Sequence, residues 1–262
     1  MLFEHAYGEV VQEVAPEEAD VLPRVLHFDA EARALVLEDL GDAPRLEEEL
    51  LAGRAPEAAL ARIGRFLGRV HSATRARAID LEQRFQNLGM RELHGEHIFT
   101  FPFEPNEFPI PTEVRHEARQ LLEPSLRERI RELRKLYYES RQALVHADVQ
   151  PANILLVNGA PKLLDAEIAH VGDPAFDVGT VLAHLHLHLA RRSNDPALRR
   201  AERSLLEEYR AGGGMEKDLG RAYGYAAVEM LRRTIGAARV RAIEDPSAAV
   251  AALRHAASLL GR

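Results

Sequence analysis

The chain has 262 residues, of which 46% are hydrophobic and 29% charged, with a formal net charge of −7 and no cysteine. Such a composition excludes a disordered chain, and the missing cysteines remove disulfides, thiolate metal sites and cysteine nucleophiles together. The acidic balance speaks against a general nucleic-acid binder, which needs clustered basic surface. No apolar run reaches the roughly eighteen residues of a membrane span, and MLFEHAYGEV has no basic-then-apolar leader pattern, so a soluble cytoplasmic protein without a membrane partner is expected.

Taken in order, residues 2–14 pattern as a short helix closed by Pro16. Arg24 to Phe28 and Ala34 to Glu38 are two strand-like runs joined by the polar turn DAEAR, a predicted hairpin. After the breaker EDLGDAP, Leu60, Ile63, Leu67 and Val70 recur at helical spacing between Pro56 and His71. For residues 80–111 the spacing predicts an ordered loop or inserted segment, because FTFPFEPNEFPIP holds four prolines in thirteen residues and that density excludes a helix. Two helices interrupted at Pro124 are expected over 112–139. Then come Leu144-Val145, a polar segment, the run Ile154 to Val157, a turn at Asn158-Gly159, and a further strand from Pro161 to Leu164 ending in Asp165. Everything beyond Asp177 is helical in pattern, with GGG at 212–214 and Asp245-Pro246 as breaks. Strands segregated from helices make this an α+β chain.

The segment LVHADVQPANILL is the informative one. Polar groups between two apolar runs read as a loop held by a rigid core, and such loops often carry chemistry. HADVQPAN matches H-x-D-x-x-x-x-N and is followed by LLDAE at 163–167 and GDPAFDVG at 172–179. In this order and spacing, from about Val21 to the C-terminus, the chain resembles the small-molecule kinases with a protein-kinase-like fold: aminoglycoside phosphotransferases, choline and homoserine kinases, and methylthioribose kinases. The resemblance implies a two-lobe fold, with a reduced nucleotide lobe at residues 1–40 and a mainly helical lobe at 41–262. It also implies transfer of the γ-phosphate of ATP to a hydroxyl of a small metabolite or sugar-like compound, a reaction that depends on positioning and charge neutralisation. Asp148 would be the catalytic carboxylate, Asn153 and Asp165 the Mg²⁺ ligands, and His146 and Asp177 the supports of the loop. In ALVLEDLG, backbone groups of Glu38, Asp39 and Leu40 would hold adenine, with Leu35 or Leu37 as apolar contact. Glu167 would touch metal or substrate, and Arg232-Arg233 is similar to an arginine pair that contacts substrate in the methylthioribose kinases.

Plainer alternatives stand beside each. Asp148 and Asn153 are also good turn residues around Pro151; Asp165 could end a strand, Asp177 cap a helix, Glu167 form a surface ion pair, and Arg232-Arg233 a charged helix face. His184 and His188 share a helix face, but no neighbouring carboxylate in the sequence completes a zinc site.

The departures from the family pattern matter as well. Lysine occurs only at Lys135, Lys162 and Lys217, so the phosphate-neutralising lysine of the nucleotide lobe has no counterpart, although Glu9 could be the glutamate that orients it. No glycine-rich loop is present either, and the lobe reads as N-terminally truncated. The alternative function is therefore a degenerate kinase-like binding module without efficient catalysis. A metal-dependent hydrolase using His146, Asp148 and Asp165 is a third possibility. An isolated hairpin is marginal in water and its apolar edge invites pairing, so a homodimer through strand 34–38 or the N-terminal helix is expected.

Overall fold

In the computed structural model, which describes residues 1–261, the chain opens with helix α1 (Leu2–Val14) and a short 3-10 turn, then the hairpin β1 (Val25–Asp29) and β2 (Ala34–Leu37). Helices α2 (Leu46–Leu51), α3 (Glu57–Arg75), α4 (Ala78–Arg84), α5 (Leu88–Phe99), α6 (Thr112–Leu121) and α7 (Pro124–Glu139) follow. Next come β3 (Ala143–Val145), β4 (Ile154–Val157), β5 (Ala160–Leu163) and β6 (His170–Gly172). The chain closes with α8 (Ala175–Arg191), α9 (Pro196–Ala211), α10 (Glu216–Ile235) and α11 (Pro246–Leu260). The strands form three separate antiparallel pairs, β1 with β2, β3 with β6 and β4 with β5.

Three departures from the sequence pattern have clear causes. Residues 80–99 are largely helical, as α4 and α5, leaving only 85–87 and 100–111 of this segment without helix or strand. The prolines all lie at or beyond Pro102, so their veto never reached the residues before it. Tertiary contacts hold α5 in place: Arg91 donates to the carbonyls of Tyr137 and Tyr138, and Gly95 packs against the Tyr138 ring. Helix α2 is too short to show a period; its first turn is tied by the Arg45 N–H donating to the Glu48 carboxylate at 3.0 Å. Strand β6 is three residues long and exists only as the partner of β3.

One continuous core runs from Tyr7, Val10 and Val11 on α1 to Leu259 and Leu260 on α11. Helix α8 is buried almost throughout and forms its axis, packed against α10. Helices α3 and α9 approach closely because a Cβ on Gly68 would sit 2.2 Å from the Tyr209 carbonyl oxygen; only glycine allows that separation. That contact sets Tyr209 beside His71. No helix among the described residues is long and apolar enough to cross a membrane.

Candidate active site

The β4–β5 hairpin sets the frame. Asn158 and Gly159 both take positive φ (52° and 84°), as a tight two-residue hairpin turn demands, and the ladder runs from Val157↔Ala160 to Ile154↔Leu163. At its open end the Leu164 N–H donates to the Asn153 carbonyl at 2.9 Å. Asn153, just before β4, and Asp165, just after β5, therefore leave the hairpin at the same end. Asp165 turns away in a left-handed conformation (φ 70°).

The loop between β3 and β4 is held from below by Asp177, on the first turn of α8. Its carboxylate is fully buried and accepts the His146 N–H at 2.9 Å and the Ala147 N–H at 2.8 Å. His71 Nε2 lies 3.0 Å from the same carboxylate, its Nδ1 lies 3.3 Å from the Tyr209 hydroxyl, and that hydroxyl donates to Asp218 at 3.1 Å. Burial acts to raise the Asp177 pKa, but the hydrogen bond to His71, the nearby imidazoles and the His146 N–H outweigh it, leaving the group below its usual value. His146 is buried, accepts the Asp148 N–H on Nδ1 at 3.3 Å and stacks edge-on with Tyr7; burial keeps it neutral by lowering its pKa.

Above this support, the half-buried Asp148 carboxylate accepts from Asn153 Nδ2 at 2.7 Å and from Gln150 Nε2 at 3.0 Å. Burial raises its pKa against the lowering influence of His146 and those two donors. The Asn153 amide nitrogen is thus occupied, leaving its oxygen as the group open to a cation. With the exposed Asp165 carboxylate this makes two hard oxygen donors at one end of a hairpin, a set that fits Mg²⁺, which takes one or two protein oxygens and completes its shell with water and phosphate. Among the described residues no three His, Cys, Asp or Glu side chains are grouped to hold a metal.

Glu167 is exposed beside Asp165, and Glu4 of α1 comes close to both: burial raises the Glu4 pKa, as do the charges of Asp165 and Glu167. Glu9, the acidic residue of α1 singled out in the sequence, instead pairs with Arg84 and His5. Leu35, Leu37, Val25, Tyr7, Glu4 and Asp165 line a narrow cavity between α1, the first hairpin and β5. Glu38 is tied into that hairpin: its N–H donates to the Arg24 carbonyl at 2.9 Å, and its carboxylate accepts from Arg24 N at 3.0 Å and Lys162 Nζ at 2.9 Å. Asp39 accepts the Gly41 N–H at 2.9 Å, while the Leu40 N–H has no partner among the described residues.

A second cavity of about 250 Å³ opens on the other side of Asp148, lined among others by Gln150, Met90, Ile168, Arg232 and Arg233. The charged-helix-face reading of the arginines fails, since both are buried against Glu229. His184 also lies 3.9 Å from Glu229, a carboxylate 45 positions away that its own helix did not reveal. Gln150 lies in the same polar loop as Asp148, whereas His71 and Glu229 have no local signal in the sequence.

The sequence profile described as the phosphotransferase enzyme family matches residues 3–225. A methylthioribose kinase of Bacillus velezensis is 28% identical over 261 residues, 86% of this chain and 64% of its own length. One of Yersinia pestis is 27% identical over 280 residues, covering 90% of this chain and 68% of its own. The chain thus spans about two thirds of the length of these relatives. In architecture, a choline/ethanolamine kinase family protein from Mesorhizobium loti superimposes with a TM-score of 0.53 at 18% identity, over 100% of this chain and 80% of that one. The fold is the two-lobed α+β arrangement of the protein-kinase-like proteins.

Proposed function

The chain belongs to the phosphotransferase enzyme family, and from that premise we propose that it transfers the γ-phosphoryl group of ATP to a hydroxyl of a small metabolite. The observation that carries this reading is the Asp148 carboxylate, oriented by Asn153 and Gln150 at the wall of an open cavity, with Asp165 at the same end of the hairpin as Asn153. Asp148 orients the acceptor hydroxyl and takes its proton as the oxygen bonds to the γ-phosphorus and ADP departs. Burial raises its pKa, which makes the carboxylate a stronger proton acceptor. Asn153 Oδ1 and Asp165 would hold Mg²⁺, which neutralises the charge on the nucleotide phosphates when bound. Leu35, Leu37 and the free Leu40 N–H would receive adenine; Asp177 and His146 keep the loop in shape. Glu167 and Arg232-Arg233 belong on the substrate side. Residues 1–40 act as the nucleotide lobe and 41–262 as the acceptor lobe, in the cytoplasm, with a second copy covering strand 34–38 or α1.

A binding module without turnover is the second reading. It is favoured by the absence, among the described residues, of a basic side chain around the cavity of Leu35, Leu37 and Asp165, Lys162 being paired with Glu38. Calorimetric titration with ATP·Mg²⁺ and ADP release over a panel of small alcohols separate the two. Saturable nucleotide binding and acceptor-dependent ADP release are expected, and D148N should cut that release by roughly 10²–10⁴-fold with little change in unfolding temperature. Nucleotide binding without ADP release from any acceptor supports the module; no binding at millimolar ATP rules out both.

A further inference from the structure

The cavity beside Asp148 holds an imbalance of buried charge. Arg232 and Arg233 are only 8% and 7% exposed, yet they share one counter-ion, Glu229, itself 2% exposed. One Glu229 oxygen accepts Arg233 Nε at 2.7 Å and the other accepts Arg232 Nε. Burial opposes the ionisation of Glu229, but the two guanidinium groups outweigh it and hold it far below the usual carboxylate range. The facing histidines add no charge: burial and the arginines push His94 and His184 down to about 3. Asp148 lines the same cavity but forms no ion pair with either arginine.

The donors are unequally satisfied. Arg233 donates from Nη2 to Gln150 Oε1 at 2.8 Å and from Nη1 to the Ala238 carbonyl at 3.3 Å. The terminal amino groups of Arg232 have no acceptor among the described residues, although the residue is nine-tenths buried and lines the cavity. These amino groups are not sealed from the cavity, and a forked guanidinium is matched in shape and charge by a carboxylate or a phosphate. Gln150 joins this corner to the reacting one. Its oxygen takes the Arg233 donor and its nitrogen reaches Asp148, the one amide orientation that satisfies both.

We propose that the acceptor alcohol carries an oxyanionic group, carboxylate or phosphate, which docks on the terminal amino groups of Arg232, and that Gln150 is the positioning residue linking this anion site to Asp148. The proposal rests on the phosphotransferase reading only for its second half, because anion binding is measurable without turnover. Met90 and Ile168 on the cavity wall leave the remainder of the ligand a short, partly apolar carbon chain.

The intact protein is titrated with inorganic phosphate and with acetate at constant ionic strength, chloride serving as the control. At least one oxyanion should bind saturably in the millimolar range, and the tighter of the two identifies the substrate's charged group. R232Q should weaken that binding roughly tenfold or more, and R232K, which keeps the charge but not the fork, should fall between. Failure of both oxyanions to saturate, or equal binding by R232Q of unchanged fold, overturns the anion site. For Gln150, Q150L should lower kcat of acceptor-dependent ADP release and raise the KM for the acceptor while leaving the oxyanion titration unchanged, because the bridge from Arg233 to Asp148 is gone; kcat and KM equal to wild type overturn the link. Absence of ADP release by the wild type overturns the link and the phosphotransferase reading together, while the anion titration still decides the binding site.

Discussion

The two sides of the cleft are built in different ways. Around Asp148 two buried carboxylates each hold two partners or more: Asp177 takes two loop N–H groups and faces His71, and Glu229 holds two arginines. Around Leu35 and Leu37 the chain offers a two-stranded hairpin whose Leu26 and Val36 are 54% and 46% exposed. Its contact with the body includes His5 stacked on Phe28 and the Lys162–Glu38 pair. A loop pinned by a buried carboxylate meets its ligand already ordered, which lowers the entropy cost of binding; an exposed hairpin gains order when something covers it. The side around Asp148 is therefore the rigid half of the cleft, and the hairpin side the adaptable one.

The largest test of that contrast is D177A. It leaves two buried N–H donors and His71 without their carboxylate, and breaking such a buried arrangement costs about 3–5 kcal/mol. Denaturant unfolding of purified D177A reads this directly, and a loss below about 1 kcal/mol would show the loop to be held by something else.

Acid exposes the same buried half. His170 and His184 are buried, and burial first, then the charge of nearby arginines, lowers each to about 3 in the folded state. Unfolded, each titrates near the ordinary histidine value of about 6.5. Between these values the unfolded chain binds more protons, so stability is complete above about pH 6.5 and falls as the pH drops toward 3. For the pair, the ceiling of the loss between pH 6.5 and 5 is about 3 kcal/mol. Urea midpoints across that range should fall with pH, and H170Q should flatten the dependence; a midpoint level down to pH 5 contradicts the burial argument.

The hairpin should respond least in stability and most in assembly. V36K places a charge on an exposed strand position and is expected to change unfolding free energy by less than about 0.5 kcal/mol. If a second copy pairs on this edge, the lysine should shift the protein toward monomer in light scattering, since charged edges oppose strand addition. An unchanged mass in a dimeric wild type would move the interface elsewhere.

Much of the rigid half was legible in the residues themselves. His146, Asp148, Asn153 and Asp165 lie within one strand–loop–strand stretch, where alternation, the Asn158-Gly159 turn and the polar insert all act over a few positions. The second layer was not legible: His71 meets Asp177 across 106 positions and Arg91 reaches the Tyr137 carbonyl across 46. Helix α5 was obscured by prolines that lie beyond it, and Glu9 stood out in the sequence where Glu4 is the residue near the site, because a helix pattern does not reveal which face meets Asp165.

Local rules thus determined the β4–β5 hairpin, the long helices and the identity of the polar groups at the cleft, since backbone hydrogen bonding and apolar periodicity are decided by near neighbours. Only tertiary structure decided that Arg232 and Arg233 are buried with a single counter-ion, that the Arg232 fork is unpaired, and that Gln150 joins it through Arg233 to Asp148. Those are properties of charge and burial, which depend on the side chains packed across the interior and not on the neighbouring positions of the chain.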